Sequence, residues 1–283
     1  MSINSAAAER VVLITGASSG IGKACAVALL QRGFAVYGAA RRLERLQELQ
    51  SLGLRPIRLD VTDSASCREC IERIASESGR LDILINAAGY GAYGAFEEVG
   101  DEEAKRQFEV NVFGLANITR LALPLMRRQQ DGRIVNLSSM AGKIYTPMGA
   151  WYYASKHAVE ALSDSLRCEV RDFGIKVIII EPGMILTEWS DIAVKSMQEA
   201  SAAGPYAHLA QRMQKVMDFG YRPGIAGKPE DIAKLVIKAL SDPNPRQRYA
   251  GPWDARLLIF MRKYLPDCLF DLAVRLFCCP GRK

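Results

Sequence analysis

Tyr152 and Lys156 stand four residues apart in Tyr152-Tyr153-Ala154-Ser155-Lys156, within a stretch (151–173) whose apolar spacing predicts a helix. On a helix that spacing puts both side chains on one face. An ammonium beside a phenol favours the phenolate and lowers the Tyr pKa from its usual ~10 toward working pH. Tyr152 is then suited to protonate a carbonyl oxygen or to take the proton of an alcohol. Alone, Tyr-x3-Lys more often marks a solvated helix face. The weight falls on its company.

The first companion is a glycine-rich turn, Thr15-Gly16-Ala17-Ser18-Ser19-Gly20-Ile21-Gly22, between a β-branched run at 10–14 and a helically spaced run at 21–31. Glycines there allow a tight turn, close approach of the backbone to a pyrophosphate, and contact between helix and strand. The free N–H groups and partial positive charge of the helix N-terminus then face the anion. Gly-x3-Gly-x-Gly is not the commoner Gly-x-Gly-x2-Gly, but a strand before it and a helix after it favour a dinucleotide site. About twenty residues on, an acidic side chain would hold the adenosine ribose and select NAD. The sequence there reads Tyr37-Gly38-Ala39-Ala40-Arg41-Arg42, with no carboxylate. Two guanidinium groups suit a ribose 2′-phosphate, Arg41 ahead of Arg42, so NADP(H) is expected over NAD. The plainer alternative is a solvated Arg pair held by Glu44 and Glu48.

These groups need a frame to position them. Apolar runs at 34–38, 54–59, 81–85, 133–137 and 176–180 read as further strands. Stretches 42–50, 64–78, 101–128 and 151–173 read as helices, with Pro124 expected to bend or end the third. Such alternation implies an α/β fold: one doubly wound, Rossmann-like parallel sheet in a single domain, with helices on both faces. Right-handed crossovers place the ligand crevice at the carboxyl ends of the strands. Residues 10–187 would form the cofactor-binding and catalytic core. After Thr187 the alternation stops, and 188–228 reads as an irregular, partly helical substrate loop. A helix at 231–240, a short strand at 248–250 and an amphipathic extension at 253–283, divided by Pro266, complete the chain.

Three more motifs fall at strand ends: Asn86-Ala87-Ala88-Gly89, Asn136-Leu137-Ser138-Ser139, and Pro182-Gly183-x3-Thr187. With the glycine turn and the Tyr–Lys pair, over about residues 10–250, they closely resemble the short-chain dehydrogenase/reductase family in its single-domain form. The resemblance implies roles. Ser139, with Ser138 as runner-up, would polarise the substrate oxygen. Asn111 would hold a water linking Lys156 to solvent; otherwise it is a helix-surface amide. Lys156 would also hold the nicotinamide ribose, and Ile185 with Thr187, in the Pro182-Gly183 segment, would meet the carboxamide. Asp60 and Val61 would bind adenine, while Asn86, Ala87 and Gly89 would line the cofactor and stabilise the sheet. Gly16, Ser18, Ser19, Gly20, Ile21 and Gly22 would hold the phosphates. Hydride would then pass to a carbonyl carbon as Tyr152 protonates its oxygen, with NADP preference implying reduction.

Tyr90, Tyr93, Met140, Tyr145, Met148, Met184 and Trp189 fall near strand ends or in the late loop, where they can line an apolar pocket or simply pack the core. An apolar ketone or aldehyde (a steroid, retinoid or long aliphatic carbonyl compound) is the substrate class this suggests. The rival readings are an NAD-linked alcohol dehydrogenase and a non-catalytic NADP-binding regulatory protein. Intact Asn111, Ser139, Tyr152 and Lys156 argue against the second.

Composition bounds the rest. The 283-residue chain is 49% hydrophobic and 24% charged, which fits a soluble globular protein and excludes a disordered or disulfide-stapled one. A net charge of +6 is too mild to argue for nucleic acid. Seven cysteines without a framework read as reduced intracellular thiols. Cys67 and Cys70 form a CxxC with no second pair or His beside it, so no metal is expected. Residues 1–9 lack an apolar signal core, and no apolar run approaches the ~18 residues of a membrane span. A cytoplasmic protein is expected. Residues 255–283 hold six Arg/Lys and two Asp among many apolar residues. Their apolar side is read first as a cover for the substrate mouth or a neighbouring subunit; weak contact with a membrane surface is the alternative. The family resemblance implies a homo-oligomer, dimer or tetramer, formed through 101–128 and 151–173.

Overall fold

The computed structural model describes residues 10–278; residues 1–9 and 279–283, and the expectations that fall on them, lie outside the described residues. β1 (Val11–Thr15) leads through the glycine turn to α1 (Gly20–Leu30) and β2 (Ala35–Ala40), and the single turn α2 (Gln47–Gln50) precedes β3 (Arg55–Arg58). The alternation continues through α3 (Ser64–Ser78), β4 (Ile83–Asn86), α4 (Asp101–Phe108), α5 (Leu115–Gln129), β5 (Gly132–Leu137), α6 (Ala150–Glu169) and β6 (Ile175–Pro182). Then come α7 (Glu188–Ser201), α8 (Ala207–Gly220), α9 (Pro229–Ser241), β7 (Arg248–Gly251), α10 (Trp253–Tyr264) and α11 (Asp267–Cys278).

The strands form one sheet in the order β3-β2-β1-β4-β5-β6-β7, every neighbouring pair parallel. Strands such as Val-Val-Leu-Ile-Thr of β1 are buried throughout because both faces of the sheet are covered. On one face Ile14, Val36, Ile85 and Ile180 pack with Leu29 of α1 and Val236 of α9. On the other Leu13, Tyr37, Leu84 and Val177 pack with Ile74 of α3 and Ile118 of α5. This is the expected doubly wound sheet. Its order reverses at β1, between β2 and β4, so the crevice opens at the carboxyl ends of those strands.

Three expectations need correction. The helix across 101–128 breaks not at Pro124 but at a π-helical turn, Glu109–Gly114, while Pro124 lies inside α5. Ile118, Ala122, Leu125 and Met126 bury one face of α5, and that packing outweighs the single N–H that proline lacks. Stretch 42–50 is a short 3-10 segment, Leu43–Leu46, followed by α2. Stretch 188–228 is largely two helices rather than irregular chain: Ala193 and Met197 of α7 meet Ala210, Met213 and Met217 of α8. Those spacings are helical, but they interlock with each other instead of with the sheet.

Candidate active site

The glycine turn brings backbone against backbone. Gly16 adopts φ +67°, and a Cβ there would meet the Ala88 nitrogen at 2.8 Å. Gly22 packs so closely that a Cβ would strike the Gly16 carbonyl, so helix and turn touch backbone to backbone. Ser19 caps α1 without a side-chain hydrogen bond, and no acidic residue occupies the first turn. The first N–H groups of α1 therefore face the crevice without a side-chain acceptor. Thr15 ties the turn to the neighbouring strand end: its Oγ1 accepts from the Ala87 and Ala88 nitrogens at 3.1 and 3.2 Å.

From this turn a cleft of 310 Å³ runs to Tyr152, lined by all the sequence-predicted cofactor residues except Asn86. Asn86 stays within the sheet: its Nδ2 donates to Thr119 Oγ1 at 3.0 Å and to Asn136 Oδ1 at 2.9 Å. Of its two expected tasks, the structure shows a tie between β4, β5 and α5 and no place on the cleft wall. At the far end Arg41, Arg42 and Asp60 line the same wall. Burial opposes ionisation of Asp60, but hydrogen bonds from the Thr62 nitrogen and hydroxyl, with the charges of Arg41 and Arg106, hold its carboxyl below the usual range. Arg42 pairs not with Glu44 or Glu48 but, at 3.9 Å, with Glu188 of α7. Arg45 donates to both Glu188 oxygens, at 2.9 and 2.8 Å, linking the end of β2 to the start of α7.

Tyr152 and Lys156 lie on one face of α6, both buried and both on the cleft. Lys156 Nζ donates to the Leu137 carbonyl at 2.8 Å and stands 5.9 Å from the centre of the Tyr152 ring. The expected lowering of the Tyr152 pKa is absent here. Burial pushes the phenol above its usual range, and a hydrogen bond with Ser139 opposes this. Burial likewise lowers Lys156 to about 8, with Glu160 pulling the other way. Ser139 Oγ accepts from the Ala141 nitrogen at 3.1 Å, which fixes it at the end of β5.

Asn111 is neither on the helix surface nor on the cleft. It sits buried in the π-helical turn, where Oδ1 accepts from the Tyr90 nitrogen at 3.1 Å and Nδ2 donates to the Tyr90 carbonyl at 2.9 Å and to Ser155 Oγ at 3.1 Å. The wider turn lets a helical residue reach into the loop after β4, as such turns often do near functional sites. A Cβ on Gly89 would lie 3.1 Å from Asn111 Oδ1 and 3.8 Å from Lys156 Nζ, so these three residues converge.

Around the Tyr152 ring, aromatic side chains wall the cleft as an aromatic chamber. Trp189 lies 5.0 Å and Tyr93 5.7 Å from its ring, centre to centre, and Tyr221 stands 6.2 Å from Trp189. Tyr90, Tyr93, Met140 and Trp189 were expected on the cleft and line it. Tyr145, Met148 and Met184 do not; Tyr145 instead packs on Phe270 of α11, ring centres 5.3 Å apart. Tyr153, Tyr221, Ile192 and Glu188 line the cleft and went unnoticed. Tyr153 adjoins Tyr152 and could have been found; Tyr221 arrives only through the fold of α7 and α8. Cys67 and Cys70 are buried on α3, where burial pushes their thiols up to about 11 and about 12.

A family model described as short chain dehydrogenase matches residues 10–198. A protein of Bacteroides thetaiotaomicron named 3-ketodihydrosphingosine reductase is 36% identical, over 95% of this chain and 97% of its own. The crystal structure of a short-chain dehydrogenase from Streptomyces avermitilis superposes with a TM-score of 0.80 at 33% identity, covering 96% of each chain. The closed form of serine dehydrogenase complexed with NADP+ superposes with a TM-score of 0.75 at 29% identity, covering 85% of this chain and 94% of that one. Similarity that runs the length of both chains and embraces the glycine turn and the Tyr–Lys helix alike leaves one assignment: this chain belongs to the short-chain dehydrogenase/reductase family.

Proposed function

We propose that the protein is an NADP(H)-dependent oxidoreductase that interconverts a carbonyl and an alcohol on an apolar substrate. The observation that carries this reading is that Tyr152 lines the cleft that starts at the glycine turn and also belongs to the aromatic chamber with Tyr93 and Trp189. The bare first turn of α1 would take the pyrophosphate, and Arg41 the 2′-phosphate. Gly16, Ser18, Ser19, Gly20, Ile21, Gly22, Asp60, Val61, Ala87 and Gly89 would line the adenosine and phosphates, and Pro182, Gly183, Ile185 and Thr187 the nicotinamide end. The nicotinamide, when bound, supplies the hydride.

The chain's own residues handle the proton and the developing charge. Tyr152, kept protonated by burial, donates its hydroxyl hydrogen to the substrate oxygen in the reductive direction. Ser139 donates a second hydrogen bond to that oxygen as it becomes an alkoxide. Lys156 contributes a positive charge beside the phenol as the proton leaves. Asn111 positions this end of the site by joining α6 to the loop after β4. Trp189, Tyr93 and Tyr221 exclude water and present faces that suit an extended apolar chain or ring system. The relative named a 3-ketodihydrosphingosine reductase is in keeping with a ketone substrate. Segment 188–228 would close the substrate side. Assembly of copies through α4, α5 and α6 is in keeping with exposed Phe113, in the turn between α4 and α5, and exposed Leu162 on α6.

A screen of apolar ketones and aldehydes, following absorbance loss with NADPH and NADH separately, tests the reading. Turnover should favour NADPH and vanish in Tyr152→Phe, while that variant still binds NADPH. Undiminished turnover in Tyr152→Phe would refute the assignment.

A further inference from the structure

The inner side of α10 and α11 has a clear task. Leu258 and Met261 of α10, Leu265 just after it, and Phe270 and Val274 of α11 join the cluster that contains Tyr93, Tyr152 and Tyr153. The two helices thus pack behind Tyr93, Tyr152 and Tyr153.

Their outer side is a different matter. Trp253, Leu257, Phe260 and Tyr264 recur at helical spacing along α10, and all four are exposed, Phe260 by 60%. Leu269, Leu272 and Leu276 repeat the pattern on α11, Leu276 by 64%, with Phe277 beside them. Single exposed apolar side chains are ordinary, but continuous stripes on adjoining helices mark an interaction surface.

Charge says what the surface fits. Each acidic group of this segment has a partner, although Asp267 and Asp271 are exposed. Asp254 is buried and accepts from the Met184 nitrogen at 2.8 Å, Asp267 pairs with Arg262 at 2.6 Å, and Asp271 accepts from the Tyr145 hydroxyl at 2.5 Å. Arg256, Lys263 and Arg275 are exposed and, at helical spacing, border the apolar stripes. Aromatic and aliphatic side chains edged by cations, on helices too short and polar to span a bilayer, fit a helix pair lying in a headgroup layer.

We infer that the outer face of α10 and α11 docks on an anionic lipid surface, so that an apolar carbonyl compound dissolved in that bilayer lies within reach of the aromatic chamber. The docking rests on residues outside the site; only the clause about substrate rests on the proposed reaction. Partitioning is read by flotation of the full chain with phosphatidylcholine vesicles, with and without phosphatidylserine. Wild-type protein should float with the anionic vesicles and detach as salt rises. Arg256→Gln, Lys263→Gln and Arg275→Gln should each lower the partition about fivefold. Phe260→Ser combined with Leu276→Ser should abolish it, although every variant still oxidises NADPH with a small water-soluble aldehyde. Wild-type protein that stays unbound with both vesicle types overturns the inference. So does a dimer that Phe260→Ser with Leu276→Ser splits while no vesicle binding is seen, because a second copy then covers the face. Absence of wild-type turnover with every apolar ketone and aldehyde screened would instead sink the proposed reaction and leave the flotation result standing.

Discussion

Lys156 and Tyr152 share a face of α6, and the ammonium, 5.9 Å from the centre of the Tyr152 ring, donates its hydrogen bond to the Leu137 carbonyl, 2.8 Å distant. The shared face is a property of the helix; the direction of the ammonium is a property of the sheet edge beneath it. With burial acting on both groups, the phenol keeps its proton and the amine is readier to lose one. That polarity suits a site that gives a proton to a carbonyl oxygen.

Lys156 should therefore cost the ligand-free protein stability. Its pKa falls from 10.5 to about 8 on folding, chiefly through burial. Between those values the unfolded chain holds a proton that the folded chain lacks. The cost is full below pH 8, fades as pH rises, and is gone above 10.5. It amounts to about 3 kcal/mol, less about 1 kcal/mol for the hydrogen bond to Leu137. Lys156→Met should unfold at higher urea than wild type at pH 7, show no such gain at pH 10.5, and turn over poorly throughout. An equal gain at both pH values would mean that packing, not charge, sets the difference.

Local rules made most of the frame readable. Strands buried on both faces give continuous apolar runs such as Val177–Ile180, and Gly16 and Gly20 mark backbone that other residues resist, so the sheet and the phosphate turn stand out. Periodicity fails where burial is supplied from elsewhere. α7 and α8 pack on each other rather than on the sheet, which hid both helices and the arrival of Tyr221 on the cleft. Asn111 was visible as a residue, but its inward turn depends on a π-helical step that no apolar spacing encodes. Glu188 reaches the Arg41–Arg42 end of the cleft only because the fold brings it to Arg45, 143 positions earlier.

That carboxylate bears on cofactor choice. Arg41 lines the cleft and its charge is felt at Asp60, whereas Arg42 is drawn toward Glu188. A charge-assisted hydrogen bond is worth about 1.5–3 kcal/mol, so Arg41→Ala should raise KM for NADPH about ten- to a hundredfold and leave KM for NADH nearly unchanged. If Arg41 binds the 2′-phosphate as proposed, Glu188→Gln removes a negative charge near it and should lower KM for NADPH. The Arg45–Glu188 pair is half exposed, so the melting temperature of Glu188→Gln should hardly move. Steady-state kinetics with each cofactor decides; equal changes with NADPH and NADH would remove Arg41 from the 2′-phosphate.

A second buried charge lies behind the site. Glu181, next to Pro182 at the end of β6, is pushed up to about 7 from 4.5 by burial and by the like charge of Glu160, against the pull of Lys143 and Arg248. Its nearest cation is Arg248, 3.7 Å away, which also pairs with Glu160 and Asp164 at 2.9 and 2.6 Å. One guanidinium is thus shared among three carboxylates, and Glu181 has the longest contact. Because its folded pKa is raised, the folded chain binds the extra proton between pH 4.5 and 7. The penalty for ionising it is absent below 4.5, grows across that window, and is complete above 7. Glu181→Gln keeps the shape and removes the charge, so it should stabilise the protein at pH 8 by on the order of 2–3 kcal/mol and by nothing at pH 4.5. Urea unfolding at the two pH values measures the difference. Destabilisation at pH 8 would show that the long contact with Arg248 outweighs the cost of burying the carboxylate.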